Sequence, residues 1–491
     1  MKYFPVTIEQ SDETFFVSPT KNVLPIALLS FPILCLYLTS IAYNWEFYFF
    51  LVSFCFIVFV LALVSFDIAF LFVPLTLTNP YTLSETGTNL HISELVLLIL
   101  FSVWIIRMAM SGERIIFPKQ FLFPSLAIIV AALLSLVVAR YFVAALQQVV
   151  RYIEILIIFF MIVIQYSRNE AQIRRIFLLL IIGGLIASLI GLGQFITGTL
   201  TVGVTRRIFG WHGGGYGALI ASTLLLSISA LLYQRYKVIK IWAIITIPFA
   251  GLALILSQTR AWIGALILVI GFMLFWSKRE IIKKVLMMVA LVTGIIVIVI
   301  QTNAFGLIEN NYFKAAIEKA FKFGVTSGKR SADNFSLLLR LNVWREAIKQ
   351  YLSHPLTGIG VGNLRITDYL TARLGKPAEG VGYIDNQYIQ FFAEAGTIAG
   401  IAWILYIYQA LHLGIQNIKR TKDSSLYAPA IGFFSCLLIF VIGSFFWVIT
   451  PQHELFALMG LYIGLMFNIG RLIKRNEEVN ENTQNHSVET N

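Results

Sequence analysis

Continuous apolar runs, most of them 18 residues or longer, recur along nearly the whole chain, and this single feature leaves few folds open. They fall near 24–43, 46–65, 67–78, 92–110, 121–138, 143–165, 173–196, 214–233, 238–257, 260–276, 284–302, 387–411, 427–449 and 454–473. A helix needs roughly 20 such residues to cross a hydrocarbon core of ~30 Å. Barrel strands would alternate apolar and polar residues, and these runs do not. The expected fold is an all-α polytopic membrane protein with about 12–14 transmembrane helices.

The short loops between the runs carry Lys and Arg, and these fix the expected orientation. Arg168, Arg174 and Arg175; Arg235, Lys237 and Lys240; Lys278, Arg279, Lys283 and Lys284; Lys419, Arg420 and Lys422; and Arg471, Lys474 and Arg475 all belong in the cytoplasm. The chain then divides into a cytoplasmic segment 1–22, a bundle 23–302, an extracytoplasmic loop 303–386 containing short helices, C-terminal helices 387–475 and a polar, disordered cytoplasmic tail 476–491. Both termini are expected in the cytoplasm. Topology also accounts for the net charge of +12, so no nucleic-acid partner is expected. Cys35, Cys55 and Cys436 lie within apolar runs and lack metal-ligand spacing, so no metal site is expected. The N-terminus is polar to Asn22 and the first run is full length, which speaks against a cleavable signal.

Some cations break the topological pattern. Arg260, in SQTRAWIGA, stands at the outer end between two runs joined by almost no loop. A guanidinium there either snorkels to hold a tight hairpin or serves an anion in a water-filled cavity. Arg206 and Arg207 lie on the same side, before a glycine run, and either touch headgroups or bind a ligand that the backbone can approach closely. In the large loop, Arg340, Trp344, Arg345 and Ile348 recur at helical spacing, and HPLTGIGVGN then stops the helix in a glycine-rich turn. Such a turn can offer backbone N–H groups to an anion. Arg365, Arg373 and Lys376 add positive charge. No nucleotide-sugar pool exists outside the cytoplasm, so this cavity suits a lipid-linked phosphate or pyrophosphate, whose oxygens match the planar guanidinium fork.

Three segments in order, SQTRAWIGA, RLNVWREAIKQYLSHPLTGIGVGN and DNQYIQFFAEAGTIAG, together with the upstream GLGQFITG and RRIFGWHGGGYGA, resemble the O-antigen ligase and Wzy-type polymerase superfamily over about Ile190 to Ile401. The resemblance implies an inverting, metal-independent, cofactor-free glycosyltransferase of the GT-C-like class, multi-pass in a bacterial cytoplasmic membrane with its active site on the extracytoplasmic side. Its donor would be an undecaprenyl-pyrophosphate-linked glycan and its acceptor a glycan or lipid, with membrane lipids around it and a flippase and chain-length regulator as further partners. Arg260 and Arg340 match the arginines that hold the pyrophosphate, and Arg206, Arg207, His212, Trp344, Arg345 and Asn386 complete the expected substrate-binding set. The family's His-Asn pair is here Asp385-Asn386. Asp385 is expected as the base for the acceptor hydroxyl, since a carboxylate is an acceptor that burial makes more basic. Its alternative is a helix N-cap, leaving His212 or His354 as base. Glu394, about two turns further on, is open to packing or to chemistry. Absence of the ligase-typical His favours a polymerase of capsular, exopolysaccharide or cell-wall glycan over a ligase. The competing class is an anion or polysaccharide transporter, disfavoured by the long loop and by the lack of an internal repeat.

Overall fold

The computed structural model describes residues 46–79, 92–111, 117–198, 208, 215–275, 332–364, 385–421 and 424–489. Among the described residues the regular structure is helical, without strands, and the protein is an all-α polytopic membrane protein. The apolar runs at 24–43 and 284–302, and Arg206, Arg207, His212, Arg365, Arg373 and Lys376, lie outside the described residues.

The chain forms two compact units, 1–61 and 62–491. The first is described from Glu46, where α1 (Glu46–Val64) begins. The second contains α2 (Phe66–Phe70), α3 (Phe72–Thr78), α4 (Ile92–Ser111), α5 (Lys119–Ser135), α6 (Phe142–Ile153), α7 (Phe160–Tyr166), α8 (Glu170–Thr197), α9 (Tyr216–Tyr233), α10 (Lys237–Leu256), α11 (Arg260–Phe275), α12 (Ala332–Ser353), α13 (Gln387–Arg420), α14 (Tyr427–Gly443) and α15 (His453–Glu489). A wide π turn, Glu154–Phe159, joins α6 to α7. Eight helices among the described residues are long and apolar enough to cross a membrane, and they fall on the apolar runs read from the sequence. Local signals set several of their ends. Asn169 and Gln172 form a reciprocal capping box at the start of α8, and Gly198 closes it in the left-handed region with φ 72°.

Three boundaries differ from the sequence expectation. The run at 427–449 stops being helix at Gly443, because the following residues turn back and bind the start of α13. The run at 387–411 belongs to a 34-residue helix, which at ~1.5 Å per residue is ~51 Å long, far more than a ~30 Å core requires. It is broken at Gly396, so its first turns form a separate helical segment. The tail expected to be disordered continues α15 as far as Glu489, with no Gly or Pro after Asn476 to stop it.

Packing inside the second unit centres on α13 against α5. Phe121 meets Tyr406 and Phe160 edge-on at 5.4 and 5.3 Å, while Phe391 stacks on Trp403 at 4.6 Å. In a bilayer such rings gain close van der Waals packing and not transfer out of water, and this packing sets α13 beside α5.

Candidate functional site

The site is built where α12 lies along the first turns of α13. Val343, Ala347, Leu364 and Ala393 make a small buried core, with Trp344, Tyr351, Ile359 and Ile389 packed onto it. The Trp344 ring therefore faces the interior of the loop. Arg345, from the neighbouring position, is exposed. The two helices run in the same sense: Arg340 meets Asp385 at one end, while Tyr351 meets Phe392 and the Thr397 hydroxyl at the other.

Arg340 Nε donates to Asp385 Oδ2 at 3.3 Å, with about a third of each side chain open to solvent. Two residues chosen from separate motifs thus form one ion pair. At this exposure the pair is worth only ~0–1 kcal/mol, so its interest is chemical more than structural. Burial pushes the Asp385 carboxyl above the ordinary aspartate range, and the Arg340 charge and hydrogen bond pull it part of the way back. Asp385 also sits at φ 52°, a left-handed conformation that Asp tolerates better than most residues.

The capping role weighed for Asp385 falls to its neighbour. Asn386 Oδ1 accepts the N–H of Ile389 at 3.0 Å, which makes Asn386 the N-cap of α13, and its Nδ2 donates to the Phe445 carbonyl at 3.2 Å. Asn386 is engaged in holding the helix end, a role worth ~1 kcal/mol. Asp385, one residue earlier, is left to face Arg340.

Arg260 opens α11 after a tight turn in which Gln258 adopts φ 53° and the Ser257 and Thr259 hydroxyls lie 2.6 Å apart. Two residues on, Trp262 occupies the place a Cβ would take at Gly443, the last residue of α14. The next carbonyl, Ser444, accepts the N–H of Gln387 at 2.8 Å. Arg260 and the start of α13 consequently stand at the same end of the bundle, with the end of α14 between them.

The glycine-rich turn does offer N–H groups to acceptors, but the acceptors are the protein's own. Gly396 breaks α13 at φ 79° and ψ −174°, a region only glycine occupies freely. The turn 355–364 fills that break: Ile359 N–H donates to the Ala393 carbonyl at 3.0 Å, Gly360 N–H to the Glu394 carbonyl at 2.9 Å, and Thr397 N–H to the Pro355 carbonyl at 2.8 Å. The Glu394 carboxylate, fully enclosed, accepts from Leu364 N–H at 3.2 Å, from Gly362 N–H and from Gln390 Nε2 at 3.0 Å. On its other side the turn reaches the corner after α5, where Tyr141 N–H donates to Asn363 Oδ1 at 2.5 Å and Val361 N–H to Ser135 Oγ at 3.2 Å. His354 stands in this turn, exposed, at the end of α12 opposite Arg340. Its position there separates it from the Arg340–Asp385 pair.

Alanine at Gly396 would adopt a backbone conformation costing ~1–3 kcal/mol and drive its Cβ into the Leu356 carbonyl. The Gly396→Ala variant is expected to lose the docked turn while keeping the helical bundle, read as faster limited proteolysis within 332–364 at unchanged far-UV dichroism. Unchanged cleavage rates would count against it.

Sequence reasoning did not single out Gln387 and Gln390, which with Glu394 make a polar ladder along one buried face of α13. Gln387 Oε1 accepts Ile449 and Thr450 N–H at 2.6 and 2.9 Å; its Nε2 donates to Thr450 Oγ1 at 2.9 Å and to Gln390 Oε1 at 3.2 Å. The signal was present as i, i+3, i+7 spacing in QYIQFFAE, one face of a helix. Also missed was a second polar group on the 449–453 turn: Gln148 Nε2 and Arg151 Nη1 donate to the Thr450 and Pro451 carbonyls at 3.1 and 2.7 Å, Arg151 pairs with Glu94 at 3.7 Å, and His453 Nε2 meets Glu154 Oε1 at 3.0 Å.

Comparison with known proteins bears on the same stretch. Residues 245–404 match the O-antigen ligase family. The matched segment runs from within α10 into α13 and so contains Arg260, Arg340, Asp385, Glu394 and Gly396. The chain is also 26% identical over 208 residues to an uncharacterized protein of Haemophilus influenzae, a match spanning 41% of this chain and 50% of that relative. The family match covers about a third of this chain, and the chain spans half the length of that relative.

Proposed function

We propose that the protein is a glycan polymerase acting on the extracytoplasmic side of a bacterial membrane, joining undecaprenyl-pyrophosphate-linked oligosaccharide repeat units into a capsular, exopolysaccharide or cell-wall polysaccharide. The observation that carries this reading is the contact between Arg340 and Asp385 within the family-matched segment. Asp385 takes the proton of the acceptor hydroxyl as its oxygen bonds to the anomeric carbon of the donor. The bond from that carbon to the pyrophosphate oxygen breaks on the opposite face, its electron pair leaves with the pyrophosphate, and configuration inverts. Arg340 serves both ends of this displacement. It neutralises Asp385 at rest, and its remaining N–H groups, with those of Arg260, stabilise the charge on the leaving group.

Arg345, with Arg206, Arg207 and His212 from the segment before α9, belongs to the proposed rim that binds glycan and phosphate. A ligase that hands the finished glycan to another acceptor uses the same two half-reactions. Incubating purified protein with the lipid-linked repeat unit separates the two: a ladder of products is expected, whereas a single adduct on an added acceptor would identify a ligase. Solute flux in proteoliposomes without lipid-linked substrate, and no transfer with it, would replace both with a transporter.

The base form of Asp385 grows as pH rises, so turnover should rise with it. Because burial outweighs Arg340 at this carboxyl, the acid limb of the kcat profile is expected above ~4, where an ordinary aspartate titrates. Arg340→Lys weakens the opposing hydrogen bond and should move the limb to still higher pH. A limb that stays in place in that variant would detach it from Asp385.

A further inference from the structure

We propose that Glu394 is the positioning residue of this site: by gathering the N–H groups of Gly362 and Leu364 onto its carboxylate, it fixes the loop turn in the break of α13 and so sets Arg340 against Asp385. The inference rests on the reading of Arg340 and Asp385 as the transfer centre. α12 is held on α13 by the part-exposed Arg340–Asp385 pair at one end, by the small core of Val343, Ala347, Leu364 and Ala393 along its length, and by the docked turn at the other end. Leu364, whose N–H the Glu394 carboxyl holds, is a member of that core, so the packing beneath Arg340 and the docked turn share one anchor. A shift of Leu364 is passed through Val343 to Arg340, one turn away on the same helix.

The chemistry at Glu394 suits this task. A carboxylate is an acceptor through both oxygens, and here both are met: Oε1 by Leu364 N–H and Oε2 by Gln390 Nε2, with Gly362 N–H converging on the same group. Glutamine in its place keeps one acceptor oxygen and must aim its NH₂ group at a donor, either the backbone N–H of Leu364 or Gln390 Nε2. Gln390 in turn is tied to Gln387, and Gln387 to the turn at Thr450, so the same helical face that receives the loop also fixes the residues following Asp385. Both members of the ion pair are thereby referred to one rigid ladder.

The test uses the full-length protein in nanodiscs with the lipid-linked repeat unit extracted from cells lacking it. Glu394→Gln is expected to lower kcat about 10–100-fold with donor KM nearly unchanged. Its loss should be less than multiplicative with Arg340→Lys, since both spoil the same guanidinium, and multiplicative with Arg260→Lys. Asn363→Ala, which releases the turn from Tyr141, should reproduce the pattern. Wild-type turnover in Glu394→Gln, or equal multiplication with both lysine variants, overturns the inference. A second readout does not depend on the reaction: spin labels at 345 and 398, in a chain with Cys35, Cys55 and Cys436 replaced by serine, should give a narrow distance distribution that broadens in Glu394→Gln. Should the parent protein transfer no glycan, the functional reading fails, and the labels still decide whether Glu394 sets the loop. An equally narrow distribution in the variant would refute that role.

Discussion

Asparagine at position 385 is expected to reduce turnover by ~10²–10⁴-fold, the usual contribution of a positioned general base, while the donor still binds. The substitution keeps the shape of the side chain and an oxygen that can accept from Arg340 Nε, but it cannot take a proton from an acceptor hydroxyl. On the proposed mechanism donor binding depends on Arg260 and Arg340, which the change leaves in place. The measurement pairs kcat with the lipid-linked repeat unit against the amount of donor recovered with the purified protein by mass spectrometry. Near-normal turnover would make Asp385 the counter-ion of Arg340 and send the search for the base back to His212. Its neighbour gives an internal control. Asn386→Ala removes the α13 cap and the bond to Phe445, so it should cost stability of about 1 kcal/mol with a smaller loss of kcat.

Why was Asp385 readable as a special position, while Glu394 stayed open between packing and chemistry? The spans were legible because a bilayer imposes one period and one length on every apolar run. The pairing of Arg340 with Asp385 was legible only as two separate motif positions. They are 45 residues apart in sequence, and nothing in composition says that α12 returns parallel to the start of α13. The capping assignment went one residue astray because Asp and Asn are near-equal caps, and only the backbone decides: Asp385 is left-handed at φ 52° and Asn386 is extended at φ −153°. The glycine-rich turn was read as a site for an anion; its N–H groups go to the carboxyl and carbonyls of α13. That exchange is invisible in sequence because the break at Gly396 converts helical carbonyls into acceptors for a distant loop, and a glycine within an apolar run does not announce a break. The end of α14 was missed for a related reason. Ser444 to Val448 continue an apolar run, and it is the side chain of Gln387, reaching Ile449 and Thr450, that holds this stretch as a turn.

Removing both arginines, as Arg260→Ala with Arg340→Ala, is expected to abolish detectable transfer. Losing one preorganised electrostatic group at a developing negative charge costs ~10²–10³-fold. Two groups acting on the same leaving pyrophosphate approach the product of those factors, ~10⁴–10⁶-fold, which takes the reaction to background. The position of Arg260 speaks for a role beyond the hairpin. It is the first residue of α11, where the helix dipole disfavours a cation by ~0.3–1 kcal/mol. A residue retained solely for the hairpin would be better placed elsewhere or be neutral. Thermal unfolding of Arg260→Ala separates a structural role of its guanidinium from a catalytic one, while Arg340→Ala removes a part-exposed pair worth ~0–1 kcal/mol. A marked drop in stability for either single variant would mean that its guanidinium holds the fold, and retained polymer synthesis in the double variant would remove pyrophosphate stabilisation from the mechanism altogether. Substitution by lysine discriminates further: charge alone is preserved, so a large residual defect at both positions points to the paired hydrogen bonds of a fork on phosphate oxygens, whereas full recovery points to charge alone.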